Sequence, residues 1–225
     1  MPDKQVRTYY ENNRAYEDKG KQMTTGKLLV ISGPSGTGKG TICKKLFEDF
    51  ENIVFSVSMT TRNPREGEIH GQSYYFTEKS NFEKMISEDG FLEYAKVFDN
   101  YYGTPKKPVI DQLSKGNDVL LEIDVQGAMQ VRDAYPEAVL IFILPPSLKE
   151  LKNRIINRGS ESEESLKKRL GEAMHEITYA DRYDYAVIND NLDEAVKQVE
   201  SIIVAEHLKV TQNIAKVIDS YRKEI

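Results

Sequence analysis

The sequence predicts an α/β fold: a parallel sheet core with flanking helices, carrying a small inserted lobe and a lid. Three observations lead there. Short apolar runs alternate with stretches of helical periodicity, the pattern of parallel strands joined through crossover helices. A glycine-rich turn, "GPSGTGKGT" at 33–41, separates the first apolar run from the first helical stretch. A section rich in Tyr, Thr and Arg, residues 58–103, breaks the alternation.

In chain order, "KLLVIS" (27–32) predicts a strand that runs into the glycine turn, with a helix from Lys39 to Asp49. Within the insert, "SYYF" and "FLEYAKVF" are short strand-like pieces, so a small mixed α/β lobe with mostly antiparallel pairing is expected. "NDVLLEID" (117–124) and "AVLIFIL" (138–144) are near-continuous apolar runs and read as strands buried on both faces. "PPS" (145–147) fits a strand end followed by a helix start, and Leu148, Leu151 and Ile155 then share one helical face. Helical spacing returns at 163–180 and 192–209, on either side of a last strand, "DYAVIN" (184–189). "NRGSESEE" (157–164), charged and Ser-rich, reads as a mobile flap between two helices. The chain thus divides into an N-terminal extension (1–25), core (26–57), lobe (58–103), core (104–156), lid (157–170), core (171–209) and a C-terminal tail (210–225).

Composition excludes several function classes. With 31 basic against 36 acidic residues, the net charge of −5 gives no global attraction to nucleic acid or to a membrane surface. A few arginines in a local pocket can still hold a phosphate. A single cysteine, Cys43, rules out an internal disulfide and a cysteine-based zinc cluster, and its helical position predicts a buried apolar thiol. No apolar run is long enough for a membrane span. The first 25 residues mix acids and bases without an apolar stretch, so a signal peptide is not expected and a cytoplasmic location is the default. Oligomeric state, and any role for 1–25 or 210–225, is not legible.

The glycine turn has the spacing of a phosphate loop through its lysine: Gly33, Pro34, Ser35, Gly36, Thr37, Gly38, Lys39. Its strand–turn–helix context predicts a P-loop NTPase-type core. Glycines let backbone N–H groups converge on phosphate oxygens, and the helix N-terminus adds partial positive charge. Lys39 reaches the outer phosphates. Gly40 stands where the usual pattern has Ser or Thr, so one hydroxyl is missing. Thr41, the next residue, is the candidate Mg²⁺ contact, directly or through a water. Such a loop indicates a nucleoside triphosphate and no more.

The insert narrows the choice. In "SVSMTTRNPREGEIHGQSYYF" (56–76), Arg62 and Arg65 lie three apart across a proline turn, with Tyr74 nearby. Two guanidinium forks and a phenol suit a second phosphate. Taken alone, this stretch also reads as a solvated basic turn. Together with "FLEYAKVFDNYYGTP", "LLEIDVQGA", "RGSESEESLKKRL" and "YDYAVIND", the motifs resemble the guanylate kinase family in its bacterial form, over about residues 26 to 208.

That resemblance implies transfer of a phosphoryl group from ATP to GMP, with Mg²⁺, on a parallel sheet carrying a GMP-binding lobe and a lid. Whether dGMP is accepted is not legible. By the same resemblance Arg62, Arg65, Tyr74 and Tyr102 hold the GMP phosphate, while Ser58, Glu93 and Thr104 read guanine. The chemistry agrees: a carboxylate accepts from guanine N1–H and the exocyclic amine, whereas adenine would leave those groups unsatisfied. Asp124 matches a position near guanine, with helix capping as its alternative, and Glu122 matches an acidic position near the metal and its waters. Arg154, Arg158 and Arg169 match lid arginines near the triphosphate, and Asn189 a position near the ATP adenine. Taken singly, Glu93 reads as a strand-edge carboxylate and the lid arginines as solvated helix charges.

Phosphoryl transfer needs charge stabilisation more than a base, so Lys39, Arg62, Arg154, Arg158 and Arg169 are the expected catalytic set. His70, His175 and His207 are left without a role and expected on the surface. The rival reading is a non-catalytic guanylate kinase-like module that binds a protein partner.

Overall fold

The computed structural model describes residues 26–157, 163–210 and 214–225. Five strands form one all-parallel sheet: β1 (Leu28–Ser32), β2 (Ile53–Phe55), β7 (Asp118–Glu122), β8 (Val139–Leu144) and β9 (Tyr185–Ile188). Their order across the sheet is β2-β7-β1-β8-β9. Both faces are covered, which is why β1, β7 and β8 are apolar along their length. Leu29 and Ile31 point into one core cluster with Ile42, Cys43 and Leu46 of α1 (Lys39–Asp49) and Val199 and Ile203 of α7 (Leu192–Leu208). Leu28 and Val30 point to the opposite cluster, with Val109 and Leu113 of α3 (Lys106–Ser114) and Ala128 and Val131 of α4 (Val125–Ala134). The alternation follows from the two-residue period of a strand.

The insert builds a second sheet in the order β4-β3-β6-β5, from β3 (Met59–Thr60), β4 (Tyr75–Phe76), β5 (Phe91–Val97) and β6 (Asn100–Pro105). β6 runs antiparallel to both β3 and β5, while β3 and β4 pair in parallel. Phe82 of α2 (Lys79–Ser87) anchors this unit, stacked between Phe91 at 4.3 Å and Tyr101 at 5.2 Å between ring centroids. β5 is tied to the core because the Gln130 amide on α4 bonds both backbone groups of Tyr94, at 3.0 and 3.1 Å. The two sheets therefore meet along α4.

After β8 come α5 (Leu148–Asn157) and α6 (Glu163–Ile177), packed through Leu151, Ile155, Leu166, Leu170 and Ala173. This small cluster abuts the glycine loop: a methyl at Gly36 would lie 3.2 Å from Leu151. Arg158 and most of the expected flap fall outside the described residues. α8 (Ile214–Arg222) ends the described chain.

His207 departs from the expectation of a surface spectator. Its Nε2 lies 2.8 Å from the carboxylate of Asp118, which is fully buried and also accepts Lys27 N–H at 2.7 Å. The imidazole ties the end of α7 to the start of β7, while His70 and His175 are exposed as expected. Cys43 is buried, and burial pushes its thiol up to about 12, so it behaves as an apolar filler. No helix among the described residues is long and apolar enough to cross a membrane.

Candidate functional site

The glycine loop is shaped by close approaches that only glycine permits. Gly33, at φ 141°, lies so near β8 that a Cβ would sit 2.2 Å from the Ile143 carbonyl oxygen. Gly38, at φ 90°, is the N-cap of α1, and a Cβ there would meet the Asn189 amide at 2.4 Å. Thr37 is fully buried and closes the turn by donating its hydroxyl to the Pro34 carbonyl at 2.9 Å. From below, Asn189 donates its side-chain amide to the Thr37 carbonyl at 2.7 Å. The Asn189 side chain, 5% exposed, thus braces the loop as a strut.

α1 opens without a side-chain cap and without an acid in its first turn, so its N-terminal N–H groups and their partial charge stay directed at the loop. Lys39 Nζ donates to the carbonyls of Gly33 and Pro34. Ser35, Gly40 and Thr41 are exposed along the same rim. A Cβ at Gly40 would make ordinary contact with a Glu122 carboxylate oxygen, at 3.5 Å, so that carboxylate lies against the first turn of α1.

Two of the three lid arginines reach this region. Arg169 Nη2 donates to Ser35 Oγ at 3.0 Å. Arg154 Nη1 donates to the Asn189 carbonyl at 3.1 Å, and its Nε pairs with Glu150 at 3.0 Å. Arg158 cannot be placed because it lies outside the described residues.

The second sheet assembles the other set. Pairing of β5 with β6 sets Glu93 opposite Thr104, and the Thr104 hydroxyl donates to Glu93 Oε1 at 2.6 Å. Glu93 is only 9% exposed, and burial raises its pKa, an effect that the Thr104 hydrogen bond partly offsets. Its second oxygen faces the first turn of α4: a methyl at Gly127 would lie 3.2 Å from Oε2. Asp124 sits at that same helix end and accepts Gly127 N–H at 2.8 Å. The capping alternative is therefore realised, and it leaves Asp124 beside Glu93.

Pairing of β3 with β6 sets Thr60 opposite Tyr102 and brings the phosphate candidates together. The rings of Tyr74 and Tyr102 meet edge to face at 6.1 Å, and the Arg62 guanidinium lies over Tyr74 at 5.4 Å. Ser58 adjoins β3, and its carbonyl accepts Tyr75 N–H at 2.8 Å. Arg65 follows on an exposed turn.

Three residues near these groups were not singled out by sequence reasoning. Glu68 forms a two-point pair with Arg62, both contacts at 2.8 Å, and Arg62 holds its carboxyl down at about 2. Glu176 is half-buried on α6 and raised by burial, in the field of Lys39 and Asp124. Its spacing of seven from Arg169 puts both on one helical face, which is the signal that could have found it. Tyr183 keeps its hydroxyl buried beside Ser32, whose own hydroxyl donates to the Ile123 carbonyl at 2.8 Å. Burial pushes this phenol up to about 12.

Comparison with known proteins gives consistent results. The family model described as guanylate kinase matches residues 25–206. A guanylate kinase of Clostridium tetani is 61% identical over 188 residues, covering 84% of this chain and 90% of its own. One of Clostridium acetobutylicum is 56% identical over 200 residues, covering 89% and 95%. Among solved structures, guanylate kinase from Anaplasma phagocytophilum superposes with a TM-score of 0.68 at 36% identity, covering 88% of this chain and 95% of that one.

Proposed function

The chain belongs to the guanylate kinase family, and on that premise we propose that it transfers the γ-phosphoryl group of ATP to GMP, yielding ADP and GDP. The observation that carries the acceptor assignment is the buried Glu93–Thr104 pair. A carboxylate this buried is costly unless donors reach it. Guanine supplies two, N1–H and the exocyclic amine; the Ser58 hydroxyl can donate to O6, while the single Thr104 proton stays on Glu93 and orients it.

In this reading ATP phosphates rest on 33–41, against the backbone N–H groups and the open end of α1, with Lys39 on the outer phosphates. Arg62, Arg65, Tyr74 and Tyr102 hold the GMP phosphate. Asn189 supports the nucleotide by holding the loop from beneath. Arg154 and Arg169 carry positive charge to the loop rim from the lid side, where charge builds on the transferring phosphoryl group. The acceptor phosphate is already ionised at neutral pH, so no side chain has to remove a proton. Closing the insert and the α5–α6 region over the cleft aligns donor and acceptor and excludes water.

Mg²⁺ fits the residues present. This ion is usually held by one or two carboxylates together with substrate phosphates and waters, not by an all-protein cage. Glu122, whose carboxylate lies near Gly40, and the exposed Thr41, next in the chain, are the groups that would hold it. When bound with ATP it supplies neutralisation of phosphate charge.

The test is an initial-rate comparison of GMP, dGMP, AMP, CMP and UMP as acceptors with ATP, read as ADP formation. GMP-dependent ADP release that AMP does not replace is the expected result. Absence of any acceptor-dependent release would favour the protein-binding module.

A further inference from the structure

We propose that Glu68 is a positioning residue for the acceptor phosphate: it orients Arg62 so that one defined edge of the guanidinium meets the phosphate, and it fixes the turn that carries Arg65. This inference rests on the assignment of GMP to the insert and deepens it.

The argument starts from the five N–H donors of a planar guanidinium, which lie along three edges. The end-on edge is fully used, since Nη1 donates to Glu68 Oε2 and Nη2 to Oε1, both at 2.8 Å. The outer hydrogen on the Nη1 side is also used, by the Asn63 carbonyl at 2.7 Å. What remains is the edge made by Nε–H and the outer Nη2–H. The Tyr102 phenol is near enough to favour the charged form of Arg62, after Glu68. The guanidinium carbon also lies over two rings, Tyr74 at 5.4 Å and Phe76 at 5.8 Å. With its end and one side taken and two rings packed against it, the arginine is held in a single orientation, its remaining edge left for the phosphate.

Glu68 is itself fixed. Its Oε2 accepts the Arg65 N–H at 2.7 Å, and its own N–H donates to the Arg65 carbonyl at 3.1 Å, so residues 65–68 close on each other. Release of this carboxylate would open the turn and free the Arg62 fork together. That separates the contact from an ordinary surface ion pair, whose long side chains hold no backbone and contribute little. Both side chains are also well covered, at 15% and 21% exposure. A carboxylate held this way remains ionised throughout the working pH range, as its depressed pKa of about 2 requires.

The alternative is that the Glu68 carboxylate occupies the place of the phosphate and competes with it. The two roles predict opposite signs. Glu68→Gln keeps the shape but replaces one acceptor oxygen by a donor that cannot face the guanidinium. For a positioning role, KM for GMP rises about tenfold, the scale of one charge-assisted hydrogen bond, with KM for ATP unchanged. Binding of guanosine, which lacks the phosphate, is unaltered. In combination with Arg62→Lys the two effects are far from additive, because each removes the same arrangement.

A KM for GMP that is unchanged or lower overturns the proposal, the lower value identifying a competitor. Equal weakening of guanosine overturns it too, since that marks general damage to the insert. Wild-type protein without GMP-dependent turnover would overturn both this inference and the assigned function, whereas normal wild-type turnover with an unaffected variant overturns only this one.

Discussion

Glu93→Gln separates binding from stability, because the structure predicts effects of opposite sign. In the wild type the carboxylate is buried, and its raised pKa shows that folding disfavours the ionised form. A carboxylate raised in the folded state stabilises the protein fully below its unfolded-state pKa and loses that contribution as pH rises through the folded pKa. At neutral pH the ionised Glu93 is therefore a cost to the fold. The Gln carbonyl can still accept the Thr104 hydroxyl, which donates at 2.6 Å in the wild type, so the variant loses the charge and keeps the bond. Its melting temperature at pH 7 should be equal to or higher than that of the wild type.

Binding moves the other way. Guanine offers two donors to a carboxylate but finds only one acceptor on the amide, and the amide NH₂ confronts the other donor. Losing one hydrogen bond to a charged group costs about 1.5–3 kcal/mol, so KM for GMP should rise about ten- to a hundredfold. The preference for GMP over AMP should narrow with it. A pH series adds an independent reading: wild-type affinity for guanosine should weaken on acidification through the raised Glu93 pKa, above the ordinary carboxylate range, and the Gln variant should lack this phase. Guanosine is the right probe because a phosphate monoester itself takes up a proton near pH ~6. A KM for GMP within about threefold of wild type, or a lowered melting temperature with unaltered KM, would refute the guanine assignment.

Other perturbations test neighbouring steps. Lys39→Ala should reduce kcat by at least about a hundredfold, the usual scale for removing one charge-stabilising donor, with near-normal thermal melting; residual turnover above a tenth of wild type would remove Lys39 from the catalytic set. Gly127→Ala places a methyl 3.2 Å from Glu93 Oε2 on an ordinary helical backbone, so KM for GMP should increase while helix propensity adds up to about 1 kcal/mol of stability, checked by rates and urea melts. Asp118→Ala leaves the Lys27 N–H and the His207 ring without their buried acceptor and should cost about 3 kcal/mol in urea unfolding, with His207→Ala costing less because that ring is partly solvated.

Periodicity and turn chemistry made the core legible. Strands buried on both faces are apolar without interruption, and β1, β7 and β8 lie where their apolar runs predict. The glycine loop was legible because backbone-made sites require residue types: φ 90° at Gly38 and the contact of Gly33 with Ile143 admit no side chain. The insert resisted such reading. β3 and β4 are two residues each, too short for any period to show. Which carboxylate does what was also hidden, since Glu68, Glu93 and Glu122 look alike in sequence and differ only in what folding sets against them. Glu68 meets a guanidinium, Glu93 a hydroxyl in a dry strand pair, and Glu122 the bare flank of Gly40. His207 was misplaced for the same reason, its partner Asp118 lying 89 residues away.

The two halves of the site therefore answer mutation differently. On the loop side, the proposed reading gives phosphate to main-chain groups, and the side chains that matter are those whose absence shapes the backbone. A substitution such as Gly33→Ala drives a methyl into a carbonyl of β8, an inner strand held between β1 and β9 that cannot yield, so the damage falls on folding before it falls on affinity. In the insert, the proposed acceptor site rests on side-chain charge displayed from short strands and an exposed turn. Arg62, Arg65 and Glu68 can change without emptying a core, so losses there should appear as KM for GMP with the melting temperature preserved. Glu93 stands between these regimes, buried like a core residue yet destabilising as an anion, which is the balance expected of the guanine reader proposed for it.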